Sequence, residues 1–298
     1  MKAVGDSPSP TKATVVLIVQ NNQRQARVKV GFPGCTAHLD YPAIEMRRPL
    51  RIAILENDTP LERTKEKYGG YGGVFESLLK ASAKELGQPE KLDPETGLEI
   101  TKWDIVHRDD LYPNLDDIDA ILMTGSRHNS FDNIPWINKL VEFIQKVLAQ
   151  DRVRIIGVCF GHQILGRALG AKVGRSDEGW EVSVCEMDLT EKGKELFGRD
   201  KLRLQQMHRD IVFSYPPNVT PLGSSPRCAV QGMYSPGRFI SVQGHPEFTK
   251  EIISDIIEAR SKAGIFSDDE SKDAMARAGN QNDGIAVGVA FLKFLLEE

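Results

Sequence analysis

Residues Arg154 to Gly170, RIIGVCFGHQILGRALG, constrain the fold more than any other stretch of the chain. The β-branched apolar run from Ile155 to Val158 breaks at Cys159-Phe160-Gly161, and apolar residues then recur at helical spacing at Ile164, Leu165, Ala168 and Leu169. This reads as strand, tight turn, helix. Gly157 and Gly161 flank Cys159 at two residues on either side, the spacing of a nucleophile elbow with Cys in place of Ser. Such a turn lifts the side chain above the sheet, and the helix behind it directs free N–H groups and a positive dipole end at the sulfur. A free Cys at the end of a strand is also at home as a buried packing residue, so a catalytic reading needs a partner base.

The sequence around the elbow alternates. A strand at Arg51–Leu55 ends at Glu56-Asn57-Asp58-Thr59-Pro60, helical periodicity follows over Val74–Leu86, and further strands are expected at Thr101–His107 and Ile118–Met123. The last runs into Thr124-Gly125-Ser126-Arg127, and helical pattern returns from Pro135 to Ala149 before the elbow strand. Strands alternating with helices of this length imply βαβ units: an α/β fold with a mixed, mostly parallel sheet and helices on both faces. In such sheets ligands bind beyond the carboxyl ends of the strands, the edge that holds Gly125-Ser126 and Cys159. The glycine-rich KYGGYGG at residues 67–73 lacks the Gly-Lys-Ser/Thr ending of a phosphate loop and is expected to be a flexible connector, with Tyr68 and Tyr71 in reach of a ligand.

After Gly170 come short strand-like pieces, Trp180–Leu189, Leu202–Met207, Ile211–Tyr215, Cys228–Tyr234 and Phe239–Gln243, which fit a small antiparallel extension on one sheet edge. Helices are expected at Lys250–Lys262 and Ile285–Glu297, with helix plus loop between them. No internal repeat is present, so residues 48–298 read as one domain. Residues 1–47 read as an N-terminal extension, either a hairpin around the Asn-rich centre NNQRQ or a poorly ordered segment.

Composition removes several function classes. With 298 residues, 40% hydrophobic and 27% charged, the chain can bury a full core. A net charge of −4, a pI near 5.9 and no Lys/Arg-rich block give no reason to expect nucleic acid or a membrane as partner. Cys35, Cys159, Cys185 and Cys228 are widely spaced, with no CxxC pair and no metal-ligand spacing, which fits a reducing compartment: the cytoplasm, with the nucleus open as well. The apolar run Val15–Val19 is too short for a signal-peptide core.

The partner base lies far along the chain. The strand Phe239–Gln243 stops at Gly244-His245-Pro246-Glu247, and in extended backbone His245 and Glu247 project to the same side. Glu247 can then accept from one imidazole nitrogen while the other faces a thiol, the logic of a nucleophile, base and orienter. His162 follows Gly161 on the elbow helix, where it can hydrogen-bond into the fold, and His107 and His128 have no carboxylate at diagnostic spacing.

GVCFGHQ at Gly157–Gln163 together with GHPEF at Gly244–Phe248 resembles the class I glutamine amidotransferases, whose triad is Cys, His and Glu in this chain order. The similarity runs from Leu50 onward. It implies a flavodoxin-like sheet, Cys159 as nucleophile, His245 as general base and then acid, and Glu247 as its orienter. The MTGSR turn stands where the family has a Gly-Gly-Pro-type oxyanion loop; Ser126 and Arg127 replace its second Gly and Pro. N–H groups of Gly125 or Ser126, with that of Phe160, are the implied oxyanion donors.

Gln163 matches the elbow-helix Gln that contacts substrate glutamine, and is otherwise a helix-surface amide. Gln206-Met207-His208-Arg209-Asp210 resembles the loop that contacts the substrate α-amino and α-carboxylate groups, with an exposed Arg209–Asp210 ion pair and a structural His208 as the plainer account. The implied chemistry cleaves a γ-glutamyl amide through a thioester and uses no metal and no cofactor. GWEV at Gly179–Val182, HRD at His208–Asp210 and VQGHPEFTK at Val242–Lys250 resemble most the stand-alone, GMP-synthase-like members, which include γ-glutamyl peptidases. No ATP-binding fingerprint or acceptor domain is expected here. A small γ-glutamyl substrate is therefore expected, with a glutaminase subunit serving a separate synthetase as the alternative, and a non-catalytic binding or regulatory protein as a further one.

Overall fold

The structure is a computed structural model and describes residues 14–20, 23–32, 35–40, 49–108 and 110–297. It divides into two compact units, residues 1–48 and 49–298. In the first, β1 (Thr14–Gln20), β2 (Gln23–Phe32) and β3 (Cys35–Asp40) form an antiparallel sheet in that order. The turn of the hairpin expected in this region, residues 21–22, lies outside the described residues.

The second unit is built on alternation. Along β4 (Leu50–Glu56), Ile52 and Ile54 enter one core while Ala53 and Leu55 enter another, as a strand covered on both faces requires. The helices and strands that follow are α1 (Glu62–Tyr68), α2 (Tyr71–Leu86), β5 (Leu98–Asp104), β6 (Ala120–Met123), α3 (Pro135–Leu148), β7 (Arg154–Val158) and α4 (Phe160–Ala168). Then come β8 (Val173–Arg175), β9 (Glu181–Leu189), α5 (Glu191–Phe197), β10 (Lys201–His208), β11 (Asp210–Val212), β12 (Thr220–Ser225), β13 (Cys228–Ser235) and β14 (Phe239–Val242). Helices α6 (Lys250–Lys262), α7 (Asp268–Arg277) and α8 (Gly284–Leu295) follow.

The main sheet has nine strands in the order β10-β9-β12-β13-β14-β7-β6-β4-β5. From β14 to β5 every neighbouring pair is parallel, and the remaining pairs are antiparallel. The parallel half repeats the doubly wound, flavodoxin-like order, with its topological switch between β4 and β6. The antiparallel half is β9, β10, β12 and β13, with β8 and β11 forming a separate two-stranded ribbon.

Helices α2 and α8 cover one face, packing Phe75, Leu79 and Phe291 on Ile52, Ile54 and Ile156. Helices α3 and α4 cover the other with Ile137, Leu140 and Ile164 against Ile121 and Ile155. Each such fully buried side chain contributes about 1.5–3 kcal/mol relative to exposure.

KYGGYGG is a helix junction and not a flexible connector. Lys67 and Tyr68 finish α1, and Tyr71 opens α2. Its glycines let the chain press onto β4: a Cβ on Gly70 would lie 2.3 Å from the Glu56 Oε1, which accepts the Gly72 N–H at 2.7 Å. The strand expected at Leu202–Met207 is β10 and runs on to His208; Asp210 begins β11, so of the segment that resembles a substrate loop only Arg209 lies between strands.

Candidate active site

Cys159 sits between β7 and α4 with φ 51 and ψ −102, a strained conformation for a side-chain-bearing residue, costing about 1–3 kcal/mol. Its surroundings hold it there. The Cys159 N–H donates to the Val242 carbonyl at 3.0 Å, and the Cys159 carbonyl accepts from the Gln163 N–H at 3.0 Å. The two flanking glycines are required by close approach: a Cβ on Gly161 would lie 2.5 Å from the Met123 carbonyl oxygen, and one on Gly157 would lie 2.8 Å from the Gly161 carbonyl oxygen.

Because β7 and β14 are adjacent, parallel and in register at Val158 and Val242, the chain leaving β14 emerges beside the elbow. The His245 N–H donates to the Gln205 carbonyl at 2.7 Å, which fixes the backbone. His245 Nδ1–H donates to Glu247 Oε1 at 2.8 Å, and both residues are buried. Burial disfavours the imidazolium, but the negative charges of nearby Cys159 and of Glu247 when ionised, with the hydrogen bond to Glu247, outweigh it and push His245 up to about 10.

His162 is a different kind of histidine. Its nitrogens meet the Ser241 hydroxyl at 2.9 Å and the Val230 carbonyl at 3.1 Å, in full burial. Burial, helped by neighbouring His208, pushes it down to about 3 against the Val230 hydrogen bond. It is neutral scaffold.

The turn after β6 faces the same space, with a Cβ on Gly125 falling 2.6 Å from the His245 Cε1 and 3.6 Å from the Cys159 Cβ. The turn after β4 holds it in place. Asn57 N–H and Nδ2–H donate to the Thr124 hydroxyl at 2.9 Å and the Thr124 carbonyl at 3.0 Å. Asp58 accepts the Arg127 N–H at 2.7 Å and its Nε–H at 2.8 Å. Among the described residues the Gly125 and Ser126 N–H groups have no acceptor, and Phe160, the first residue of α4, contributes a helix-terminal N–H.

The remaining sequence-derived candidates form a second cluster. Gln163 donates to the Asp210 carbonyl at 2.8 Å and to Gln243 Oε1 at 3.1 Å, and accepts from the Ser130 hydroxyl at 2.8 Å, so both its amide hydrogens are used within the protein. It is buried and not a surface amide. His208 Nε2 lies 3.0 Å from Glu181 Oε2, and Asp210 pairs with Arg175 at 3.0 Å and not with Arg209. The buried Arg209 Nε has no hydrogen-bond partner among the described residues.

A cavity of about 370 Å³ opens on the edge between these elements. His245, Glu247, Gly125 and Ser126 line it on one side and α6 on the other. Of the two tyrosines singled out in the sequence, Tyr71 lines it and Tyr68 does not, while Asp58, Ile256 and Arg260 had not been anticipated. Asp58 lies two residues past the carboxyl end of the parallel strand β4, a place where ligand-edge residues are expected; α6 carries no comparable signal.

Residues 81–258 match the family described as glutamine amidotransferase class-I. The chain belongs to the class I glutamine amidotransferase family. Among its relatives, a glutamine amidotransferase-like protein of Schizosaccharomyces pombe is 34% identical over 250 residues, covering 83% of this chain and 98% of that one. Gamma-glutamyl peptidase 3 of Arabidopsis thaliana is 32% identical over 227 residues, covering 72% and 83%. A solved glutamine amidotransferase from Thermotoga maritima superposes with a TM-score of 0.65 at 18% identity, covering 85% of this chain and all of that one, a likeness of fold. Among the described residues no helix is long and apolar enough to cross a membrane.

Proposed function

We propose that this chain hydrolyses a γ-glutamyl amide bond through a thioester on Cys159. The observation that carries the reading is the 2.8 Å bond from His245 Nδ1 to Glu247, which turns the other face of the imidazole to a thiol held on a strained elbow. The Cys159 thiolate adds to the δ-carbonyl carbon, forming the S–C bond. The oxygen takes the negative charge beside the N–H groups of Gly125 or Ser126 and of Phe160. Collapse breaks the C–N bond, and the His245 proton goes to the departing nitrogen. Water, deprotonated by His245, then cleaves the thioester to release glutamate and regenerate the thiol.

On the acyl side, Gln163, His208 and Asp210 frame the wall through the contacts above, and Arg209 is the cation for the substrate α-carboxylate. Similarity to gamma-glutamyl peptidases 3 and 4 of Arabidopsis thaliana supports this reading. Family membership also keeps an ammonia-supplying glutaminase subunit in play. A non-catalytic role leaves the strained, paired Cys159 without a purpose.

Glutamate release from glutamine and from γ-glutamyl dipeptides, measured with the intact chain and with Cys159→Ala, tests the proposal. Activity on a γ-glutamyl substrate that vanishes in Cys159→Ala supports it. Turnover of glutamine alone, and only with a partner protein present, selects the glutaminase reading. No release from any of them, together with no labelling of Cys159 by a γ-glutamyl-like electrophile at neutral pH, ends the enzymatic one.

A further inference from the structure

The cavity beside His245 is far larger than release of ammonia requires. About 370 Å³ is within the range of small-molecule sites and roughly ten times the share of liquid occupied by a water-sized molecule. The wall opposite the triad is apolar, made by Ile256, Ala263 and Ile265 of α6 and its exit, together with Leu61. Such a wall suits a hydrocarbon side chain and does nothing for ammonia.

Two guanidinium groups line this space, and they differ. Arg127 is neutralised by Asp58, which accepts both its backbone N–H and its Nε–H. Arg260 is half-buried in the last turn of α6, and among the described residues no carboxylate lies within ion-pair distance of it. Its guanidinium lies over the Trp180 ring, 4.8 Å from the centroid, a contact that positions the group without cancelling its charge. Burial, with Arg127 nearby, holds Arg260 below the usual arginine range, against the attraction of Cys159, Tyr71 and Asp58. A planar cation with unused donors in a partly dry cavity is suited to a carboxylate.

The direction of the chemistry says which carboxylate. His245 must hand its proton to the departing nitrogen, so the amine half of the substrate occupies the space that His245 lines. Gln163, Arg209 and Asp210 are not part of that lining.

We propose that Arg260 binds a carboxylate on the amine half of the substrate, with the α6 wall taking its side chain. The preferred substrate is then a γ-glutamyl amino acid or short peptide with an apolar residue and a free carboxylate, in preference to glutamine. This rests on the γ-glutamyl hydrolase reading above and adds the identity of the leaving group.

The experiment compares kcat/KM for glutamate release from γ-glutamyl-leucine, from its C-terminal carboxamide and from glutamine, using the full chain. The wild type is expected to favour the free acid over its carboxamide by about 10- to 100-fold, and both over glutamine. Arg260→Gln is expected to lose that preference through a higher KM for the acid alone, and Arg260→Lys to restore part of it. Equal turnover of acid and carboxamide by the wild type overturns the proposal without any variant. So does an Arg260→Gln effect that is uniform across all three substrates, which would assign Arg260 to supporting the thiolate charge. Faster glutamine turnover than γ-glutamyl-leucine turnover also overturns it while leaving γ-glutamyl hydrolysis standing. If none of the substrates is cleaved in a Cys159-dependent way, both readings fall together.

Discussion

The ring of Phe248 lies flat on the imidazole of His245, with centroids 4.0 Å apart and planes 6° from parallel. A buried apolar plate against the base both excludes water and fixes the ring rotation that aligns Nδ1 with Glu247. Phe248→Ala is expected to lower kcat for glutamate release by about 10- to 100-fold, in line with the sensitivity of catalysis to small misplacements. Phe248→Tyr, which keeps the plate, should retain most activity. Steady-state kinetics of the two variants separate stacking from mere cavity formation, since a structural defect alone would also depress thermal unfolding of Phe248→Ala without the Tyr rescue.

The raised His245 value fixes the alkaline behaviour. A histidine pushed from an ordinary value near 6.5 up to about 10 in the folded state contributes stability that is complete below about 6.5 and is lost as pH rises through about 10. In the proposed mechanism the same proton is delivered to the leaving amine. Glutamate release should therefore stay level through mildly alkaline pH and fall with a midpoint near 10, and Glu247→Gln should move that midpoint downward. Titration of the His245 ring signal in Cys159→Ala should also shift down, because the thiolate charge is gone. A wild-type rate that declines around neutrality contradicts the ion-paired site.

Gly125 has no room for a methyl group on the side facing the triad. Gly125→Ala is expected to push the new carbon against His245, where the built position lies only 2.6 Å from Cε1. Turnover should drop by about 100-fold or more, the scale of a lost oxyanion donor, with the melting temperature little changed because the loop lies at the sheet edge and not in the core. Activity and thermal unfolding measured on one preparation check both halves.

Asp58 organises the same turn from outside the triad. Asp58→Ala removes the acceptor of both the Arg127 backbone N–H and its Nε–H, leaving the guanidinium only the Thr59 carbonyl, and should reduce kcat by roughly 10-fold through loss of positioning. Asp58→Asn, able to keep one acceptor, should recover part of it. An effect confined to KM would show that the turn holds substrate and not the oxyanion.

On the acid side the controlling group is His162. Its value is pushed down to about 3, so between about 6.5 and 3 the unfolded chain binds a proton that the folded chain refuses. Stability is complete above about 6.5 and falls as pH drops, by about 1.4 kcal/mol per unit. Urea unfolding between pH 5 and 6.5 should show this slope, and His162→Asn should flatten it.

Four of the five parallel strands were legible because each is an apolar run with a marked end, whereas β5, LEITKWD, is largely exposed and starts at Leu98, three residues before the Thr101 expected; the candidates Cys159, His245 and Glu247 were legible because Gly157-x-Cys159-x-Gly161 and His245-x-Glu247 are local patterns. What was not legible depends on contacts between distant segments. The strand expected at Leu202–Met207 reaches His208, shortening the resembled loop, because Gln206 to His208 pair with Ser183 to Glu181 across the sheet. KYGGYGG looked flexible by composition, yet Gly70 and Gly72 lie close against Glu56 and Gly73 against the Tyr68 carbonyl. Helix α5, Glu191–Phe197, and strand β12, Thr220–Ser225, are short and weakly patterned; α5 is set by the Thr190 cap and β12 by its pairing with β13 and β9. Arg260 sits on a helix whose sequence looks ordinary, and only the cavity reveals that among the described residues it has no carboxylate within ion-pair distance.

The elbow strand β7 and its neighbour β14 touch along their length, yet β8 through β13 are all inserted between them in the chain. During synthesis the cysteine therefore leaves the ribosome roughly ten seconds before the histidine, at ~5–20 residues per second. Until β14 docks, the nascent thiol has neither its base nor the Val242 carbonyl that helps hold its strained backbone. On the proposed mechanism, Cys159 is paired with His245 only once the last parallel strand is in place, so the unfinished chain carries an ordinary thiol.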